Sequence, residues 1–148
     1  MRALLQRTTG ARVRVGGAVV GEIGTGLVVL LGVGPTDDEV VAEALARRIT
    51  ELRIFDDADG RTNLSLVDVA CAVLLVSQFT LYAHTRRGRR PGFTGAAAPE
   101  LAERLYLRVA AAFRALDVEV AMGRFGEVMA VELVNDGPFT IWLDSADR

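Results

Sequence analysis

The chain has 148 residues, 51% of them apolar and 24% charged, so it is long and apolar enough to bury a core and is not a disordered segment. One cysteine, Cys71, excludes an internal disulfide, and one histidine, His84, leaves too few ligands for a zinc site of the His/Cys kind. The 17 basic residues, all arginine, stand against 19 acids, and the net charge of −2 does not by itself mark a nucleic-acid binder.

Residues 1–7 read as a first strand. Residues 11–15 and Ala18–Ile23 flank Gly16-Gly17, a pair that permits a tight hairpin because both positions tolerate positive φ. Val13 and Val15 alternate with Arg12 and Arg14, which gives that strand one wet face. Residues 27–33 are continuously apolar, as in a strand buried on both faces, and are too few to span a bilayer. Thr36-Asp37-Asp38-Glu39 has the form of a capping box with Thr36 as N-cap, and Val41, Leu45, Ile49 and Leu52 follow at helical spacing. Residues 52–55 turn extended, and the acidic stretch 56–60 lacks the other ligands of a calcium loop, so a solvated turn is expected. Residues 70–78 form another buried strand, and residues 84–95 a polar, glycine-rich loop. Pro99 suits the first position of a second helix, with Leu101, Leu105, Val109, Ala112, Phe113 and Leu116 on its buried stripe. Strands over 118–123, 128–135 and 138–143 close the chain, the second with Met129, Val131 and Leu133 on one face.

No repeat or linker divides this pattern, so one domain over residues 1–148 is expected. Two helices cannot cover both faces of a parallel sheet. The expected fold is α/β of the α+β type: a mostly antiparallel, barrel-like sheet with two long helices packed outside. No long apolar segment leads the chain, and a soluble cytoplasmic protein is the expectation.

Singly, the chemical candidates are weak. Ser77 is not in a nucleophile elbow, Cys71 lies in an apolar strand, and Asp136-Gly137-Pro138 reads as a hairpin corner. Together, Ser77-Gln78-Phe79-Thr80 and Asn135-Asp136-Gly137-Pro138-Phe139-Thr140 resemble the D-aminoacyl-tRNA deacylase (D-tyrosyl-tRNA(Tyr) deacylase) family. The resemblance runs the length of the chain, through Leu5-Gln6-Arg7, the 26–33 strand, Leu52-Arg53-Ile54-Phe55, Arg90-Pro91-Gly92-Phe93 and Gly123-Arg124-Phe125.

That resemblance implies a hydrolase without cofactor or metal. Its substrate is the ester joining a D-amino acid, or mischarged glycine, to the 3′-terminal adenosine of tRNA, and L-aminoacyl-tRNA is spared. It implies a homodimer with active sites at the subunit interface and neither membrane nor DNA as partner. Catalytic positions map to Ser77, Gln78, Phe79 and Thr80. Phe79 offers a face to the adenosine and the backbone N–H groups near Thr80 receive the carbonyl oxygen. Chiral selection falls to a cis Gly137–Pro138 from the other subunit, held by Arg7, with Asn135, Thr140, Phe125 and Met129 in support. The tRNA 2′-OH assists the reaction, and Thr80 orients substrate rather than attacking it, having no evident base. Arg86, Arg87, Arg89 and Arg90 cluster within five residues and are expected to meet acceptor-end phosphates. Tyr82 and His84 stand where common members carry small and acidic residues. A trans Gly-Pro enzyme with relaxed chirality and a non-catalytic tRNA-binding module are the alternatives.

Overall fold

The computed structural model describes residues 1–86 and 88–147. The strand that pairs with the most partners is β1 (Arg2–Val15), which turns through Gly16 and Gly17, at φ +57° and +85°, into β2 (Ala18–Ile23). Arg12 and Arg14 of β1 lie on the expected wet face and both bind Glu132, each at 2.7 Å. β3 (Gly26–Gly32) runs antiparallel to β1 and is buried on both faces but for Leu30.

Helix α1 (Glu39–Glu51) starts later than the Thr36 capping box predicts. Its N-cap is Asp38, whose carboxylate accepts from Val41 N at 2.9 Å. Asp37 binds the N–H of Gly34 at 2.6 Å, which holds 34–37 in a turn of their own, so the helix starts after it with Asp38 as its cap. β4 (Phe55–Asp56) and β5 (Thr62–Leu64) form a small ribbon around the expected acidic turn.

β6 (Ala72–Ser77) lies parallel to β3, and after α2 (Pro99–Ala115) β7 (Val120–Met122) lies parallel to β6. The pairs made by β1 are antiparallel, as expected; β3, β6 and β7 are parallel because a helix carries each crossover between them. Pro99 opens α2 as expected, and Leu105, Tyr106, Val109, Ala110 and Phe113 are its buried residues. Leu101, Ala112 and Leu116 sit only partly buried at its edge.

The expected hairpin corner at Asp136-Gly137-Pro138 is absent. β8 (Ala130–Asp144) continues in one direction along β1, and the register jumps from Thr8↔Asn135 to Gln6↔Thr140. Residues 136–139 therefore stand out as a bulge, because the segments before and after them pair with the same partner and the chain never reverses. The Gly137–Pro138 peptide bond is cis.

Ala3, Leu5, Leu27, Val29 and Leu75 face α1 and α2 in the main core. Ala11, Val13, Val28, Leu74 and Val76 form a second core on the other face, with Met129, Val131 and Leu133 packed against it. The sheet nearly closes there. A Cβ on Gly21 of β2 would overlap the carbonyl oxygen of Met122 at the end of β7. A Cβ on Gly26 would likewise overlap the carbonyl of Ala72, its partner across the parallel β3/β6 pair.

Backbone cannot swing aside as a side chain can. Gly26→Ala is expected to destabilise the fold by about 1–3 kcal/mol in denaturant titration, the usual penalty of an overpacked site.

Candidate active site

β3 and β6 end side by side, Leu31 opposite Ser77, and the carboxyl ends of parallel strands open onto a crevice. Beyond Ser77 the N–H of Gln78 still donates to Leu31 O at 2.7 Å. The chain then tightens into a 3-10 turn, Phe79–Tyr82, whose bonds are Leu81 N to Gln78 O at 3.2 Å and Ala83 N to Thr80 O at 3.0 Å. The N–H groups of Phe79 and Thr80 lead that turn, where such donors lack an acceptor within the helix.

A cavity of about 460 Å³ lies between this strand end, the start of α2 and the 125–127 segment. That is the size of a small-molecule pocket. Its wall is largely apolar, with Val33, Phe93, Ala97 and Phe125 prominent, and Glu127 is the one acid on it. Phe79 stands at the mouth 56% exposed, edge-on to Phe93 with ring centroids 5.1 Å apart. A large aromatic left open at the mouth of a pocket is a surface for a ligand rather than for the core. Deeper, Tyr106 donates to Leu75 O at 2.9 Å, and Gly123 N binds the same carbonyl at 2.9 Å, which ties α2, β6 and β7 together below the cavity.

The side-chain amide of Gln78 donates to Thr80 Oγ1 in a short hydrogen bond. An amide N–H cannot take a proton from the hydroxyl. The contact orients Thr80 without activating it as a nucleophile.

A second constellation surrounds the β8 bulge. Arg7 is buried on β1 and donates to Ile54 O at 2.7 Å. Its Nε lies 2.7 Å from Asp136 Oδ2, an ion pair without the alignment of a hydrogen bond. Asp56 is 3.6 Å away on the other side, and the guanidinium lies over the Phe139 ring at 4.2 Å. Asn135 closes the bulge by donating to Arg7 O at 2.9 Å and to Phe139 O at 3.2 Å. Gln6 donates to Thr140 Oγ1 at 3.2 Å just past it. Gly137 and Pro138 form its exposed tip.

The residues singled out in the sequence thus separate. Ser77, Phe79 and Phe125 line the cavity, with Gln78 and Thr80 on the adjoining turn. Arg7, Asn135, Gly137, Pro138 and Thr140 gather at the bulge; the β8 strand that carries it and the β6 strand that ends in Ser77 are three strands apart in the sheet, about 14 Å at ordinary strand spacing. Met129 belongs to neither: it packs over Gly123, where a Cβ would come within 2.7 Å of its sulfur. Arg86, Arg89 and Arg90 are exposed on a loop closed by the His84/Gly92 backbone pair, and Arg87 lies outside the described residues. Sequence reading missed Tyr106 and Glu127. Only the hydroxyl-bearing residue inside an apolar helical stripe signalled Tyr106, and nothing signalled Glu127. Among the described residues, no group of His, Cys, Asp and Glu could hold a metal ion.

Residues 4–144 match the family model described as D-Tyr-tRNA(Tyr) deacylase. A protein of Symbiobacterium thermophilum named D-aminoacyl-tRNA deacylase is 57% identical over 98% of this chain and 96% of its own length. One of the same name from Paracoccus denitrificans is 56% identical over 100% and 99%. Among solved structures, the c-Myc DNA unwinding element binding protein superposes with a TM-score of 0.91 at 38% identity, covering 97% of this chain and 98% of the other. A probable eukaryotic D-amino acid tRNA deacylase shares the fold, with a TM-score of 0.82 at 18% identity over 96% and 97%.

The chain's two tyrosines flank this site, and both hold their protons unusually tightly. Burial pushes Tyr106 up to about 12, against the opposing charge of Arg114 and a hydrogen bond with the Gly123 backbone. Burial, then the charge of Asp37, raises Tyr82 further, with Arg2 opposing. A raised folded value means the unfolded chain ionises first. The stability contributed is full below about pH 10 and is lost as pH rises through the folded values. Tyrosinate absorbance is expected to show no step near pH 10 in the folded protein; an ordinary step there would show that the rings are not buried.

Proposed function

The chain belongs to the D-Tyr-tRNA(Tyr) deacylase family, and on that premise we propose that it removes D-amino acids and mischarged glycine from the 3′-terminal adenosine of tRNA while sparing L-aminoacyl-tRNA. The chain is a hydrolase that cleaves the aminoacyl-tRNA ester. Its finer division of labour is read from the two constellations.

The observation that carries this reading is their separation. The exposed main-chain bulge on β8 and the cavity at the ends of β3 and β6 lie on separate parts of the sheet, too far apart to act on one ester within one chain. A symmetric pair of chains can bring the bulge of one protomer to the cavity of its partner, so the separation supports a homodimer with shared sites.

In that arrangement the adenosine stacks on Phe79, a contact type worth ~1–3 kcal/mol per base. Gly137 and Pro138 occupy the space into which an L side chain would project. Rejection needs something that cannot rotate away, and this main chain is braced by Arg7 and Asn135. Glycine has no side chain and a D residue points elsewhere, so both pass. Water then attacks the ester carbonyl carbon, and the N–H groups of Phe79 and Thr80 receive the developing oxyanion. The bond from carbonyl carbon to ribose oxygen breaks, and the neighbouring 2′-OH relays the proton to that oxygen. Free amino acid and tRNA leave. Thr80, held by Gln78, orients the ester. The arginine loop meets acceptor-end phosphates, where bidentate geometry suits a planar guanidinium.

Deacylation of D-Tyr-, Gly- and L-Tyr-tRNA by the purified chain tests the reading. Turnover of the first two with L-Tyr-tRNA spared is expected. Comparable L-Tyr turnover would mean relaxed chirality, and no turnover with tRNA still bound would mean a binding module. Thr80→Ala is expected to lower kcat/KM by about 10–100-fold without abolishing activity; complete loss with binding intact would instead make Thr80 a nucleophile.

Replacing Arg86, Arg87, Arg89 and Arg90 by alanine is expected to weaken tRNA binding and flatten its dependence on salt, because each lost phosphate contact removes released counterions. An unchanged salt slope would leave the loop without a role in RNA contact.

A further inference from the structure

The turn that presents Phe79 and Thr80 has four residues and few bonds of its own, and so short a 3-10 segment does not hold itself in place. Its far half is gripped from outside. Arg2 Nη1 donates to Leu81 O at 3.0 Å while Arg2 Nε donates to Asp144 Oδ2 at 3.0 Å, which ties the turn to the end of β8. The same guanidinium lies 4.4 Å from the centroid of the Tyr82 ring and 5.7 Å from that of Trp142. A planar cation between two aromatic faces is favoured both by the ring quadrupoles and by stacking.

Tyr82 is seated where the main chain has no side chains. A Cβ on Gly32 would lie 3.2 Å from Tyr82 Cδ2, and one on Gly34 would lie 2.7 Å from its hydroxyl oxygen. That hydroxyl reaches Asp37 only at 3.5 Å, so the ring rather than the hydroxyl makes the contact that matters. Arg2 and Tyr82 are each only partly buried, and neither belongs to the apolar cores.

We infer that Arg2 and Tyr82 are positioning residues of the deacylase site. Their stack, closed by Trp142 and Asp144, holds the Phe79–Tyr82 turn so that Phe79 stays at the cavity mouth and the N–H groups beside Thr80 keep their aim. The inference rests on the proposed role of Phe79 and Thr80 in binding the charged end of tRNA.

Two measurements decide it, one of which does not depend on turnover. In hydrogen exchange, Arg2→Ala and Tyr82→Ala are expected to speed the Leu81 and Ala83 amides about tenfold or more while β1 and β3 keep their protection. In kinetics, both are expected to lower kcat/KM on D-Tyr-tRNA about tenfold with the melting temperature little changed. Tyr82→Phe keeps the ring over the guanidinium and is expected to restore both readouts. Arg2→Lys keeps the charge without the planar fork, folds in any case where Arg2→Ala does not, and is expected to behave like the alanine variant. Unchanged exchange in the Arg2 variants, or Tyr82→Phe as impaired as Tyr82→Ala, would overturn the inference. Should the wild-type chain fail to deacylate D-Tyr-tRNA, the functional reading falls, and the exchange result still decides whether Arg2 and Tyr82 hold the turn.

Discussion

Both edges of β1 are hydrogen-bonded along nearly its whole length, to β8 on one side and to β3 and then β2 on the other. A strand saturated in this way cannot shift by one residue without exchanging every inward side chain for an outward one. It therefore sets the distance between the 136–139 bulge, which grows from β8, and the cavity, which opens at the ends of β3 and β6. The slips at Thr8 and Gly10 are part of the same constraint. The Thr8 hydroxyl, buried at the slip, lies within hydrogen-bond reach of Val134 O at 2.7 Å and Gly10 O at 2.8 Å. That leaves the irregular backbone satisfied and lets the bulge project without loosening the strand that carries it.

The site built on this frame relies on main chain more than on ionisable side chains. The cavity is apolar, its one acid stands at the rim, and the hydroxyl beside it is held by an amide. An aminoacyl ester is already labile, so in the proposed reaction positioning and a few aimed N–H groups are sufficient chemistry. In the proposed mechanism, discrimination by rigid backbone follows the same economy. Arg7 illustrates how the rigidity is obtained: a buried guanidinium is tolerable only when its charge is answered, and two carboxylates, Asp136 and Asp56, the Ile54 carbonyl and the face of Phe139 do so. The contacts to Asp136 and Phe139 also fix the two ends of the bulge.

Arginine recurs wherever this fold needs a rigid tie. Arg2 links β1 to the turn and to β8, Arg12 and Arg14 converge on Glu132, and Arg108 binds Glu43 across the two helices. The last of these is exposed and contributes little to stability. The half-buried Arg2 differs in what it holds, since its partners include the Leu81 carbonyl and two aromatic rings beside the Phe79–Tyr82 turn.

Local chemistry was enough to read much of the molecule. The Gly16-Gly17 hairpin, the doubly buried 26–32 strand, both helices and the Ser77-to-Thr80 motif at a strand end were all legible, because glycine pairs, apolar periodicity and proline at a helix start act within a few residues. Ser77, Phe79 and Phe125, named from the sequence, line the cavity. Three features were not legible. The helix began at Asp38 rather than Thr36 because Asp37 was already engaged by Gly34, a contact of the loop with itself that composition does not reveal. The Asp136–Phe139 segment reads as a corner, since Gly-Pro after Asp is turn chemistry; it is a bulge because β8 stays on β1 throughout. Tyr106 and Arg2 acquired their places only when α2 crossed β6 and when the first and last strands paired, residues more than a hundred positions apart in the case of Arg2 and Asp144. Such contacts depend on strand partners, and partner choice is settled by the packing of whole elements rather than by any one of them.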